Sequence, residues 1–175
     1  MPAKVDLVPY TDAERWLTEA LETDARAMAE LGGPWPIENA RQAHERRLAG
    51  VLDGSVWWFS IVPDPATGPI GTIGVWASEW QGEALSETGW MILPEFHGRG
   101  YGSAALAALL ERARRDERWG DIHAFPGATN AASNGLCRKN GFELLGSGDA
   151  DYGGRHFPVH HWVWRAGTPA PGARP

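Results

Sequence analysis

The sequence is poor in cysteine, the residue whose disulfides cross-link many small proteins. Its 175 residues include one cysteine, Cys137. A single thiol excludes an intramolecular disulfide and any metal site built from several cysteines. The fold must therefore depend on a hydrophobic core, which a chain of this length can bury within one domain. We predict that domain over residues 1–165, followed by a disordered tail rich in proline and glycine over residues 166–175.

Long apolar runs are also missing. No run approaches the roughly 20 residues that a membrane-spanning helix requires, and the first residues lack the apolar segment of a signal peptide. These absences predict a cytoplasmic protein with no membrane partner. The net charge of -6 argues against a nucleic-acid partner, because an acidic surface repels phosphates, and it favours a cationic or amine partner. Solubility alone is the alternative explanation of that charge.

Hydrophobic periodicity and turn residues predict a chain that alternates strands and helices. The predicted strands cover residues 5–8, 56–62, 70–76, 86–93, 122–125, 142–145 and 157–164. The predicted helices cover residues 11–31 in one piece or two, 37–50, 103–118 and 130–140. A polar loop is expected over residues 78–84, and a connection rich in glycine and aspartate joins the last two strands. This order predicts a mixed sheet covered by helices, with a ligand where one strand runs into a glycine-rich turn.

That glycine-rich turn covers residues 97–102, His-Gly-Arg-Gly-Tyr-Gly, and opens a helix rich in alanine and leucine. Three glycines let the backbone curl around an oxyanion without Cβ clashes, and the helix start offers free N–H groups and a positive dipole end. The turn is therefore a candidate phosphate site, and an ordinary flexible loop is the alternative. A P-loop or Rossmann nucleotide site is disfavoured, because no Lys-Ser/Thr follows the glycines and no βαβ repeat surrounds them.

Two motifs together resemble the GNAT superfamily of acetyl-CoA-dependent N-acetyltransferases over about residues 4–165. The first is His97-x-x-Gly100-x-Gly102, where the family has Gln or Arg in place of His97. The second covers residues 130–142 and is similar to the family's late helix, especially in the branch that modifies ribosomal-protein N-termini. The resemblance implies a mixed α/β fold with a mostly antiparallel sheet of six to seven strands, splayed at the CoA site and flanked by about four helices.

The resemblance also implies that acetyl-CoA is the cosubstrate, with its pyrophosphate on the glycine turn and its pantetheine along the preceding strand. The implied CoA-binding residues are Met91, Ile92, Leu93, His97, Gly98, Arg99, Gly100, Tyr101, Gly102, Ser103, Asn130 and Ser133. Backbone amides carry most of this role. A histidine at position 97 allows a pH-sensitive contact with phosphate. For Asn130, a simple helix N-cap is the alternative role.

Glu87 stands where several family members place a general base, on the strand that leads to the glycine turn. Direct transfer needs an uncharged amine, and a nearby carboxylate can take its proton, often through water. If the strand is regular, Glu87 and Met91 point to the same side, beside the pantetheine path. A solvated carboxylate at a strand end is the alternative interpretation.

Cys137 occupies the position where many relatives carry a tyrosine that protonates the departing CoA thiolate. An ordinary thiol could donate that proton, because its acidity matches that of the leaving group. Alternatively, Cys137 is a small buried apolar side chain and the thiolate takes its proton from water.

The acceptor amine should bind between the early helical loop, the hairpin after Trp76 and the last two strands. Aromatic faces and carboxylates suit a cation, and the predicted acceptor residues are Trp35, Trp76, Glu79, Trp80 and Tyr152, with Asp149 and Asp151 as further candidates. Core or rim positions are the alternative for each. We predict no metal, because His160 and His161 point to opposite faces of a strand and nothing completes a ligand set with them and His156.

The sequence therefore predicts an enzyme that transfers the acetyl group of acetyl-CoA to an amine of a small molecule or a peptide in a ternary complex. The alternative is a CoA-binding or regulatory module of the same fold without turnover, which the cysteine at the acid position permits. The sequence is compatible with a homodimer but does not determine the oligomeric state, and it leaves the acceptor unidentified because acceptor loops vary independently of the fold.

Overall fold

A computed structural model describes residues 3–167, so the predicted tail lies outside the described residues from position 168 onward. The strands are β1 (Asp6–Pro9), β2 (Trp57–Val62), β3 (Gly71–Trp80), β4 (Glu83–Ile92), β5 (Ile122–Ala124), β6 (Glu143–Tyr152) and β7 (Arg155–Trp164). The α-helices are α1 (Arg15–Thr23), α2 (Ile37–Asp53), α3 (Tyr101–Asp116) and α4 (Ala131–Lys139). Single 3-10 turns lie at Asp12–Glu14, Ala29–Leu31 and Pro94–Phe96.

The seven strands in this part of the chain form one sheet in the order β1-β2-β3-β4-β5-β7-β6. Every neighbouring pair is antiparallel except β4 and β5, which run parallel. The parallel pair is joined by the long connection through α3, since parallel strands need a crossover. The prediction of a mostly antiparallel mixed sheet of six to seven strands with about four helices is confirmed.

Helices cover both faces of the sheet, as two adjacent tryptophans in β2 demonstrate. Trp57 packs against the main core cluster and lies under Arg112 of α3. Trp58, whose side chain points to the other face, lies under Arg47 of α2. Leu106 and Leu109 of α3 are fully buried on the first face. We refer to the second face, towards α1 and α2, as the α2 face.

Two hairpins are longer than the sequence predicts. The predicted loop over residues 78–84 is wrong: β3 and β4 pair as far as Trp80 and Glu83, joined by Gln81 and Gly82, both with positive φ. The last two strands also continue to Tyr152 and Arg155, joined by two glycines with positive φ. Two-residue turns of this kind match the twist of paired strands, so cross-strand packing outweighs the low strand propensity of the polar and glycine residues.

The segment predicted as one helix or two over residues 11–31 is broken. Thr11 and Glu14 form a capping box, but it opens a 3-10 turn rather than a long helix. After α1 the chain turns and forms a second 3-10 turn that ends at Gly32, which has a φ of +84°. Within the described residues, none of the helices is long and apolar enough to cross a membrane.

Asn134 of α4 is a buried hydrogen-bonding residue that joins the helix to the sheet. Its amide nitrogen donates to the carbonyl oxygens of Gly127 and Asn130 at 2.9 and 2.8 Å. Its amide oxygen accepts from Trp162 Nε1 at 2.8 Å and from His160 Nδ1 at 2.9 Å. All four hydrogen-bonding positions of the amide are therefore used, and they fix α4 against β7 beside the loop that follows β5.

We expect Asn134→Ala to lower the free energy of unfolding by about 1–3 kcal/mol, because it leaves the buried indole N–H of Trp162 without its partner and removes the amide that joins α4 to the sheet. The measurement is urea unfolding followed by tryptophan fluorescence. Asn39→Ala, an exposed change on α2, is the matched control and should change stability little. Equal stability of the two variants would contradict this role for Asn134.

Candidate functional site

The sheet opens where β4 and β5 separate. These strands pair only at Ser86 with Ile122 and at Glu87 with His123. Beyond Glu87, β4 continues to Ile92 and pairs with β3 alone among the described strands. Main-chain N–H and C=O groups on the open side of β4 are therefore available to an extended ligand, in the way that a missing neighbouring strand would use them.

The glycine turn lies at the end of this opening. A 3-10 turn at Pro94–Phe96 separates it from β4, and His97 Nε2 donates to the carbonyl oxygen of Ile92 at 2.7 Å. Gly98 and Gly100 have φ values of +73° and +83°, which only glycine adopts without strain. Because Gly100 is the N-cap of α3 and supplies no side chain, the first N–H groups of the helix have no side-chain cap.

The helix start is held close to α4. A Cβ on Gly102 would lie 3.0 Å from a methyl group of Leu136, so the absence of a side chain permits this approach. Ser103 Oγ accepts a hydrogen bond from Asn140 Nδ2 at 3.3 Å. Arg99 lies over the ring of Phe96 at 5.5 Å and is exposed to solvent. The predicted anion cradle is therefore an open, uncapped helix end supported by α4.

The three predicted site residues of α4 have different environments. Asn130 is the N-cap, and its Oδ1 accepts from the N–H of Ser133 at 2.9 Å. Cys137 is fully buried in the hydrophobic core, and burial raises the pKa of its thiol to about 12. That environment fits the alternative of a small apolar side chain and does not fit a proton donor, which must reach the leaving thiolate.

Glu87 lies at the last residue pair before the strands separate. It is half-buried, opposite Trp76 of β3 and opposite His123 of β5, so its side chain points to the α2 face. Burial raises the pKa of the Glu87 carboxyl above its ordinary value, and a hydrogen bond from Ser78 offsets part of that effect. A raised pKa keeps the carboxylate a stronger proton acceptor than a solvated glutamate.

An aromatic surface surrounds Glu87 on the same face. Trp76 pairs with Glu87, and Trp80 stacks on Phe125 with ring centroids 4.4 Å apart. Phe125 in turn stacks on His161 at 4.6 Å. Sequence analysis missed Phe125 and His161 as site residues. Strand alternation could have placed Phe125 on the same face as His123, whereas the position of His161 depends on the order of strands in the sheet.

The loop before α2 and the β6–β7 turn meet on the same face. The guanidinium of Arg155 donates to the carbonyl oxygens of Gly33 and Pro34, and it lies 4.0 Å from the ring centroid of Trp35. Trp35 also packs on Tyr152, with centroids 5.9 Å apart. These contacts join the loop after α1 to the last hairpin and bring two predicted acceptor residues together.

Other predicted acceptor residues point away from this surface. Glu79 follows Ser78 and precedes Trp80, so it points to the opposite face of β3 from Trp76. Asp149 and Asp151 likewise lie on the opposite face of β6 from Tyr152, and Asp151 pairs with His156 at 3.2 Å. Over residues 3–167, no group of three histidine, cysteine or acidic side chains is arranged to hold a metal ion.

A family model and several solved structures match this chain. The sequence model of the acetyltransferase (GNAT) domain matches residues 5–143. The fold is similar to that of RimL, a ribosomal alpha-N-protein acetyltransferase, in complex with coenzyme A, with a TM-score of 0.75, 20% identity and coverage of 93% of this chain and 94% of that chain. No curated protein matches the sequence.

Two further solved structures are similar. The aminoglycoside acetyltransferase AAC(6')-Ib, in complex with ribostamycin and coenzyme A, has a TM-score of 0.73 and 18% identity, with 93% of each chain covered. Spermidine N-acetyltransferase from Vibrio cholerae, in complex with CoA and spermine, has a TM-score of 0.75 and 15% identity, with coverage of 93% of this chain and 96% of that chain. At these identities the likeness shows the fold.

The fold and the family match define an acyltransferase that uses acetyl-CoA as its cosubstrate. The chain belongs to the GNAT acetyltransferase family, as its two motifs predict.

We expect Gly100→Glu to weaken CoA binding more than tenfold, because it places a negative charge at the anion cradle and strains a residue with positive φ, each costing about 1 kcal/mol or more. The measurement is isothermal titration calorimetry with CoA. Gly54→Glu is the matched control. Gly54 ends α2 with a φ of +76°, and a Cβ at this position would have no heavy atom within 4 Å. Unchanged affinity in folded Gly100→Glu would contradict the cradle.

Proposed function

We propose that the protein is an N-acetyltransferase in which a primary amine attacks acetyl-CoA directly in a ternary complex, with Glu87 as the general base. The acceptor is a small molecule or a peptide N-terminus. CoA would lie along the open side of β4, with its pyrophosphate at residues 98–103. The amine would approach from the α2 face, where Glu87 and the aromatic surface lie.

The position of Glu87 is the observation that carries this proposal. It is the last residue of β4 to pair with β5, so a thioester seated in the opening would lie next to its carboxylate. Burial raises its pKa, which makes the carboxylate a better acceptor of the amine proton than an ordinary glutamate. A solvated strand-end carboxylate would be exposed and would keep an ordinary pKa, and neither description applies to Glu87.

The reaction needs two proton transfers from nitrogen. An ammonium has no lone pair, so it first loses one proton to become a nucleophile. The nitrogen then bonds to the acetyl carbon, the C–S bond breaks and the second proton leaves the nitrogen. One of the two protons ends on the CoA thiolate and one is released to solvent. With Cys137 buried, water is the donor that this site leaves for the thiolate.

The acceptor surface favours a substrate that has one amine next to an apolar or aromatic group. Its walls are Trp76, Trp80 and Phe125, whereas Glu79, Asp149 and Asp151 point to the other face. The similar solved structures include complexes with spermine and with an aminoglycoside. A polycation of that kind needs several carboxylates around it, and this surface offers aromatic faces instead.

We expect Glu87→Gln to lower kcat about 100-fold while CoA affinity stays the same, because the amide cannot accept the amine proton. In the native enzyme, kcat/KM should fall as the pH drops through the raised pKa of Glu87, above the ordinary range of a glutamate. Thiol release followed across pH measures both. Glu83→Gln, an exposed change on the same strand and face, is the control. Full activity in Glu87→Gln would exclude Glu87 as the base.

We expect a panel of amines to separate the acceptor classes. Phenylethylamine and peptides with an aromatic N-terminal residue should exceed spermine and ribostamycin by about tenfold in kcat/KM, since one well-filled apolar pocket is worth that much. Faster turnover of spermine would contradict the aromatic acceptor surface. Absence of thiol release with every amine, together with CoA binding, would favour the rival function of a CoA-binding module.

A further inference from the structure

Two histidines on neighbouring strands share a hydrogen bond next to Glu87. His123 Nδ1 of β5 and His161 Nε2 of β7 are 2.8 Å apart, and the ring centroids are 5.0 Å apart. A hydrogen bond between two imidazole nitrogens requires a proton on one and a lone pair on the other. The pair therefore contains one shared proton, and each ring keeps a second nitrogen that can exchange a proton with other groups.

The pair lies next to the general base that we propose. His123 is directly opposite Glu87 in the parallel register, and adjacent strands are about 4.8 Å apart. The side chains of both residues point to the α2 face. The other charged groups around the pair are Asp121 and Arg165, which form an ion pair with each other at 2.8 Å. Trp80 and Phe125 complete the surroundings of His161 without charge.

His123 also reaches solvent on the side away from the opening. It lines an open cavity of about 420 Å³ at the start of β4 and β5, together with Ser86, Trp119 and Asp121. In a ternary complex the thioester and the amine would cover Glu87 from the opening and from the α2 face. The cavity beside His123 would stay open in that complex, because it lies at the opposite end of the β4–β5 pair.

We propose that His123, held by its hydrogen bond to His161, carries the proton released in each turnover from Glu87 to the cavity at the start of β4 and β5. This inference rests on the proposed function. Glu87 takes a proton from the ammonium, His123 accepts it on Nε2, the nitrogen that is not bonded to His161, and water in the cavity receives it from there, so that Glu87 is a carboxylate again for the next turnover. Burial lowers the pKa of both imidazoles, which favours the neutral form and the release of an accepted proton to water.

The test is a double variant that keeps the hydrogen bond but cannot carry the proton. His123→Asn places an amide where Nδ1 of His123 lies, and His161→Gln places an amide where Nε2 of His161 lies. We expect His123→Asn with His161→Gln to lower kcat about tenfold, to change the pH profile of kcat, and to leave the CoA dissociation constant unchanged. Added imidazole should restore part of the rate through the cavity. His123→Asn alone provides a second variant if the double variant does not fold.

His156→Gln is the matched control, because His156 is exposed on the opposite face of β7 and pairs with Asp151. An unchanged kcat and pH profile in the folded double variant, with Glu87→Gln still inactive, would overturn the relay and leave the proposed function standing. A rate loss that imidazole does not rescue and that leaves the pH profile unchanged would mean a packing role and would also overturn the relay. No thiol release from the native protein with any amine would overturn both.

Discussion

The separation of β4 and β5 after two parallel residue pairs, the second at Glu87 and His123, is the constraint on which the site depends. Had the two strands continued together, their main-chain groups would satisfy each other and no ligand could insert. Instead β4 keeps one free edge as far as Ile92, and the chain then turns through the glycines into α3. The same local event thus opens the sheet, exposes hydrogen-bonding groups and directs a helix N-terminus towards the opening. That geometry suits a ligand with an extended arm and a diphosphate, which is the chemistry of the proposed acetyl-CoA site.

The two faces of the sheet have different roles. On one face, α3 and α4 bury an apolar core that includes Cys137, and Asn134 fixes α4 to β7. On the other, α1 and α2 leave room for a surface of aromatic rings beside Glu87. Because the groups that we propose bind the cosubstrate are mostly main-chain atoms, their positions depend on the core and not on particular side chains. The acceptor surface depends on side chains, which explains why proteins with this fold can share a cosubstrate and differ in the amine they use.

Much of the fold could be predicted from the sequence, because it depends on local signals. The capping box at Thr11 and the glycines at positions 98 and 100 each fix backbone conformation within a few residues. The hairpin at Gln81 and the extension of β6 to Tyr152 could not be predicted in the same way. Both follow from cross-strand packing, such as Trp80 on Phe125, between residues far apart in sequence. Glu87 could be chosen because a motif lies at a fixed distance from it, whereas the contact of His123 with His161 depends on sheet order alone.

The contacts of Arg155 have a consequence for how the acceptor specificity of such an enzyme changes in evolution. Its guanidinium is anchored to the peptide oxygens of Gly33 and Pro34, and peptide oxygens are present whatever amino acid occupies a position. Outside Gly32 and Gly33, whose positive φ angles require glycine, substitutions in the neighbouring segment can therefore accumulate without removing the oxygens that hold it to the β6–β7 turn. In proteins that carry this arginine, sequence changes in the loop before α2 can alter the preferred amine while the binding of the acetyl donor stays the same.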